Sequence, residues 1–216
     1  MSTAQPNSDR VALLECNLDD MTGEAQGYAL EQALAQGALH LVGGVLRHGA
    51  VMVPECGDIL VTEGEGVVHY RLAGLSAPLT EATRRELAAA AGAWQAGGVL
   101  MLGQRFCKSG QLRMPNPVVA SGSAVEALAA VLTGQAQAYV GHMKLWDIAG
   151  LLPMMARLGV SGCLADGGEI SCEVTNGAFV LDMKSAACWT LRDNCVICAG
   201  AWQPVVSSAV TWRAEG

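Results

Sequence analysis

Apolar positions in this chain fall into short runs broken by glycines and polar residues, each of strand or short-helix length. Residues 11–16 are one such strand-like run. Residues 27–36 hold Ala29, Leu30, Glu31, Ala33 and Leu34, types that favour a helix. Residues 39–46, 50–53, 58–62 and 67–72 read as strands. Glu63-Gly64-Glu65-Gly66 is the turn between the last two. Residues 80–91 predict a helix that Thr80 caps and Gly92 ends. Residues 99–102 predict a strand, and residues 123–132 a helix ending at Gly134. Residues 148–158 predict a helix closed by Gly159, with Pro153 in its early turns. Residues 178–182 and 195–199 predict late strands. Strands and helices alternate after Thr80, the order of a layered α/β domain.

Composition narrows the class. Of 216 residues, 51% are hydrophobic, 15% are charged and 26 are glycine, which describes a packed, turn-rich chain rather than a disordered one. Residues 1–10 are polar and read as a disordered tail, and residues 11–216 as a single domain with parts at 11–80 and 81–216. The net charge of −7 comes with no basic run, so no nucleic-acid partner is expected. An acidic chain still takes a phosphate ester when a divalent cation supplies positive charge. The most apolar window, residues 87–103, is interrupted by Gly92, Gln95, Gly97 and Gly98, so no membrane span is expected. Eight scattered cysteines and no leader pattern suggest reduced thiols and a cytoplasmic location. Cys195 and Cys198 have metal-like spacing, but their apolar run reads as core.

The most informative stretch is 122–150. It holds Gly122-Ser123-Ala124-Val125, then Thr133-Gly134-Gln135-Ala136-Gln137-Ala138-Tyr139, then Lys144-Leu145-Trp146-Asp147-Ile148-Ala149-Gly150. A carboxylate stands at the head of a helix after a large aromatic, and small residues follow that permit close packing. A helix start favours an anionic group. These spaced elements resemble the carboxyl-terminal half of the inositol monophosphatase family of magnesium-dependent, lithium-sensitive phosphatases, over about 122–200. The resemblance implies an α/β (α+β layered) sandwich of sheets and helices.

The same family can be laid on 17–66. Asn17-Leu18-Asp19-Asp20-Met21-Thr22 then occupies the place of its Asp-Pro-x-Asp-Gly-Thr metal motif, and only Asp20 and Thr22 match. On that register 27–36 reads as strand. The family's front helices and Gly-Glu-Glu ligand pair have no counterpart here, so the resemblance implies a shortened member. A second resemblance competes for the same residues. Glu15, Asn17-Leu18-Asp19-Asp20-Met21-Thr22 and Gly37-Ala38-Leu39 look like a segment of the nickel-insertion protein of nickel-pincer cofactor synthesis, over 14–39. That reading predicts softer Cys or His ligands around Asp19 and Asp20.

The phosphatase resemblance implies hydrolysis of a small phosphate monoester, a sugar or polyol phosphate. Mg²⁺ would be held by Asp19, Asp20 and Asp147, and Thr22 would orient the attacking water. Gly122, Ser123 and Ala124 would face the substrate. Members of the family place an acid shortly before the Trp-Asp. Here that region reads Tyr139-Val140-Gly141-His142, without one, which argues against myo-inositol phosphate. Plainer readings stand beside these. Asp147 also reads as a helix cap, Asp19 and Asp20 as turn residues, and His40, His48 and His69 as structural. His142 and Lys144 read as solvated loop positions. Trp94, Trp189, Trp202 and Trp212 read as core or interface. A catalytically inactive binding protein of the same fold is the alternative function. Apolar surface left by the missing front helices predicts a homodimer.

Overall fold

A computed structural model of the chain describes residues 45–53, 56–74, 81–90 and 93–212. Four strands, β1 (Ala50–Val53), β2 (Asp58–Glu63), β3 (Gly66–Arg71) and β4 (Thr83–Glu86), form an antiparallel sheet in that order. Alternation sets its inner face. Val51, Leu60 and Val67 are buried, while Ile59 and Val61 are only partly covered.

A second sheet has the order β10-β9-β11-β8-β5-β7. Its strands are β5 (Leu100–Leu102), β7 (Val118–Val119), β8 (Ala138–Gly141), β9 (Val160–Leu164), β10 (Glu169–Ile170) and β11 (Cys195–Ala199). β5 is parallel to β7 and β8, and the remaining pairs are antiparallel. Both faces of this sheet are covered, so β8 and β11 are buried at every residue. Tyr139, Cys195 and Ile197 join the main core, while Ala138, Val140, Val196 and Cys198 join a second cluster on the opposite face. The core reading of Cys195 and Cys198 holds, with the two thiols on opposite sides of one strand. Burial pushes the Cys198 thiol up to about 12 and raises Cys195 as well.

Helices fill the two layers. α1 (Gln104–Ser109) and α5 (Gln203–Ala209) cover the second cluster, with Trp94, Trp202 and Trp212 packed beside them. A ribbon of β6 (Gly110–Leu112) and β12 (Val210–Trp212) closes that side. Between the sheets lie α2 (Ala124–Leu132), α3 (Leu145–Ile148) and α4 (Leu152–Leu158). α2 packs on β1 and β8, and α4 on β2, β3 and β9. The order is sheet, helices, sheet, helices: the layered α+β architecture expected from the sequence.

Several elements depart from expectation. Across its described part, residues 81–90, the helix predicted over 80–91 is not formed. Thr83–Glu86 is strand β4, and Leu87 and Ala90 donate to Val67 O and Leu158 O. Pairing with the open edge of β3 overrides an alanine-rich helix preference. The helix predicted over 148–158 is two, α3 and α4, with Pro153 in the first turn of α4, where a missing N–H costs nothing. Gly159 closes α4 at φ +68°, as expected. The strand predicted at 178–182 is reduced to one bridge, Phe179 to Leu191. The elements predicted over 11–16 and 27–36, and the polar tail, lie outside the described residues.

Candidate functional site

Three parallel strands, β7, β5 and β8, end on the same side of the six-stranded sheet. Crevices at the carboxyl ends of parallel strands are the usual ligand sites of open sheets. Here the chain leaves β5 at Gly103, β7 at Ala120 and β8 at His142. The segments that follow carry Gln104, Gly122-Ser123-Ala124 and Asp147.

Gly122 has φ +87°, a conformation that suits glycine, and turns the chain into α2. Ser123 is the N-cap of α2, and its Oγ accepts Glu126 N–H at 3.3 Å. The Ser123 side chain is therefore committed to the helix, and the turn offers mainly backbone to a ligand. Ala124 is the first residue of α2. Gln104 was not expected as a site residue. A Cβ on Gly122 would stand 3.4 Å from its Nε2. The signal was available: a glycine and then a polar residue follow the short apolar strand that ends at Leu102.

Asp147 is the third residue of α3, and its Oδ2 accepts the N–H of the N-cap, Lys144, at 2.9 Å. The helix-cap reading of Asp147 is thus realised. Lys144 Nζ sits 4.8 Å from the Trp146 ring centroid. Gly150 lies against Gly49, where a Cβ would fall 1.9 Å from Gly150 O. The glycine this contact requires is Gly49, which lies against the backbone of the segment after Asp147. α2 and α3 also pack on each other, which brings the 122–124 turn and the Asp147 segment into one region.

Tyr139 shapes the floor of this region. Its hydroxyl lies between Gly103 and Gly141, where added Cβ atoms would come within 2.5 and 2.3 Å of it. Burial holds its phenol far above the usual range, and the nearby Asp147 carboxylate adds to this. The backbone at 141 has no room for a side chain, because the space beside it is filled by the Tyr139 ring.

Among the described residues no group of three or more His, Cys, Asp or Glu gathers closely enough to hold a metal ion. The Asp147 carboxylate is a hard oxygen group of the kind Mg²⁺ takes. Asp19, Asp20 and Thr22 lie outside the described residues, as does His40. His69 is structural: its Nε2 lies 2.7 Å from Asp58 Oδ1, and Arg71 donates to both Asp58 oxygens at 2.7 and 2.8 Å. A cavity of about 470 Å³ lies at the far end of α2, among Arg85, Gln95, Leu132, Gln135 and Trp202, and holds none of the expected site residues. No described helix is long and apolar enough to cross a membrane.

A protein-family model described as nickel insertion protein matches residues 1–43, a wider stretch than 14–39 and one that includes Asn17 to Thr22. No curated protein matches the chain. Among solved structures, SuhB of Mycobacterium tuberculosis is similar at 18% identity with a TM-score of 0.51, covering 78% of this chain and 59% of its own. An inositol monophosphatase from Anabaena is 17% identical, with a TM-score of 0.41 over 71% of this chain and 57% of its own. An IMPase/NADP phosphatase complexed with Mg²⁺ and phosphate is 12% identical, with a TM-score of 0.44 over 70% and 58%. The last two scores lie too low to carry an argument. The chain therefore spans less than two thirds of the length of these proteins. What it shares with SuhB is the layered α+β fold.

Proposed function

We propose that this protein is a metal-dependent hydrolase of a small phosphate monoester, a sugar or polyol phosphate, with Mg²⁺ as its cofactor. The observation that carries the reading is the meeting of the Gly122-Ser123-Ala124 turn and the Asp147 helix at the carboxyl ends of β7 and β8. In this reading Asp147, with Asp19 and Asp20, holds Mg²⁺, and Thr22 orients the water. Bound Mg²⁺ would neutralise charge on the phosphoryl group. The backbone of the 122–124 turn receives the substrate. The protein acts as a cytoplasmic homodimer.

The test is Mg²⁺-dependent phosphate release from a panel of sugar, inositol and nucleotide monophosphates, run beside Asp147→Asn. The expected result is release suppressed by Li⁺. Asp147→Asn should lower it by at least the 10–100-fold or so that loss of an outer partner of a metal site costs. No release above the variant on any substrate would move the reading to a ligand-binding protein of the same fold. A second reading follows from the family match over 1–43: that segment handles nickel. Tight Ni²⁺ binding that Asp19→Asn weakens and Asp147→Asn does not would favour it.

A further inference from the structure

Residues 178–192 make an excursion that returns beside the Asp147 segment. Val180 N–H donates to Thr190 O at 2.9 Å, and Trp189 N–H donates to Val180 O at 2.6 Å. Two residues, Trp189 and Thr190, thus stand opposite one, the arrangement of a β-bulge. When the first residue of a bulge is left-handed, it is normally glycine. Here it is Trp189, with φ +68°, the one non-glycine residue of positive φ among the described residues. A bulky side chain persists in that conformation only where its surroundings hold it. Trp189 is 8% exposed and packs in the main core.

The bulge grips the loop that leads into α3. Trp189 O accepts Leu145 N–H, the first amide of that helix, at 2.7 Å. Leu191 N–H donates to Met143 O at 3.0 Å, and Lys144 bridges to Thr190. His142 Nε2 lies 3.0 Å from Leu191 O. The loop from 142 to 145 is therefore bound along its length to 189–191. From the other side, the Asp147 carboxylate holds the Lys144 amide. We infer that Trp189 is a positioning residue for Asp147. Its core-anchored ring keeps the bulge left-handed, and the bulge carbonyl fixes the start of the helix that presents the carboxylate. The consequence for metal binding rests on the phosphatase reading above.

The test is hydrogen exchange over 143–147 and calorimetric Mg²⁺ titration of the full chain, with Trp189→Ala, Trp189→Gly and Trp189→Phe. Alanine and glycine both remove the ring, but only glycine adopts the left-handed conformation freely. Positioning predicts faster exchange at Leu145 in Trp189→Ala than in Trp189→Gly. It also predicts Mg²⁺ affinity lowered about tenfold in Trp189→Ala, the size of a lost supporting contact, and less in Trp189→Gly. Trp189→Phe should stay near wild type. An unfolded Trp189→Ala beside a folded Trp189→Gly is the same order in its extreme form. Equal exchange in the two, or faster exchange in glycine, overturns the inference and leaves a packing role alone. If the wild type binds no Mg²⁺ while alanine still exchanges faster than glycine, the positioning role stands and the phosphatase reading falls. If the wild type binds Mg²⁺ and the variants do not differ, the reverse holds.

Discussion

At the scale of single residues, the most constrained contact is Gly49 against Gly150. A methyl group on Gly49 would overlap a backbone carbonyl at 1.9 Å, and backbone cannot swing aside as a side-chain tip can. Gly49→Ala should therefore cost on the order of 2–3 kcal/mol, the upper part of the range for overpacking, read as a lowered urea midpoint with an unchanged slope. An unchanged midpoint would mean that the two strands of backbone separate freely. Half of this contact was legible. Ala149 and Gly150 after Asp147 announce a close approach, but nothing near Gly49 in the sequence names the partner, because the two lie a hundred residues apart. Trp189 was legible only as a core residue. Its left-handed backbone is a tertiary product, and no local pattern marks a tryptophan for a place that glycine normally takes.

At the scale of elements, strands with alternation or a buried apolar run were readable: β1, β2, β3, β5 and β11 lie within a residue or two of expectation. β4 was not, since Thr83, Arg84, Arg85 and Glu86 are all exposed and carry no hydrophobic period. Its strand state comes from pairing with β3, a long-range fact. The β2–β3 pair also contains the clearest electrostatic device of the fold. In register, Asp58 faces Arg71, and His69 sits two pairs along, on the same face. The Arg71 guanidinium first, and His69 second, hold the Asp58 carboxyl below the usual carboxylate range against the opposing effect of burial. A folded pKa below the unfolded one contributes stability above the unfolded value of about 3.9. That stability is lost as pH falls through the lower folded value. Thermal stability should therefore fall on acidification below about pH 4. Asp58→Asn should cost about 2 kcal/mol at neutral pH, the scale of charge-assisted hydrogen bonds, and should flatten the acid limb. An acid limb of equal slope in the variant would place the titrating group elsewhere.

At the scale of the whole molecule, the layered α+β class followed from the alternation of elements, and the fold of SuhB bears out that class. The pairing order of the six-stranded sheet did not, because β9 and β10 carry weak local signals and α1 and α5 none that stood out. The candidate site was partly legible: the Trp-Asp helix and the Gly-Ser-Ala turn do share one end of a sheet. Gln104 joins them only through the parallel pairing of β5. The proposed homodimer can be tested at the edge strand β7, where Val118 and Val119 are 50% and 45% exposed. Light scattering should give twice the monomer mass, and Val118→Lys should shift it to the monomer. A single-chain mass for the wild type at every concentration would remove the dimer from the proposal.

The seating of Tyr139 between Gly103 and Gly141 also constrains how this chain can change. An acidic side chain at 141 has nowhere to go while the ring is in place. Removing the phenol oxygen alone does not make room, because the ring carbon beneath it would still lie 2.6 Å from a new Cβ. Shrinking Tyr139 first empties a fully buried site, and core truncations of aromatics cost about 3–5 kcal/mol. Each single step is thus unfavourable, and a side chain at 141 would in addition crowd Gly103 Cα at 3.0 Å. Positions 139, 141 and 103 are therefore coupled, and any drift toward an acid at 141 must cross a valley of low stability.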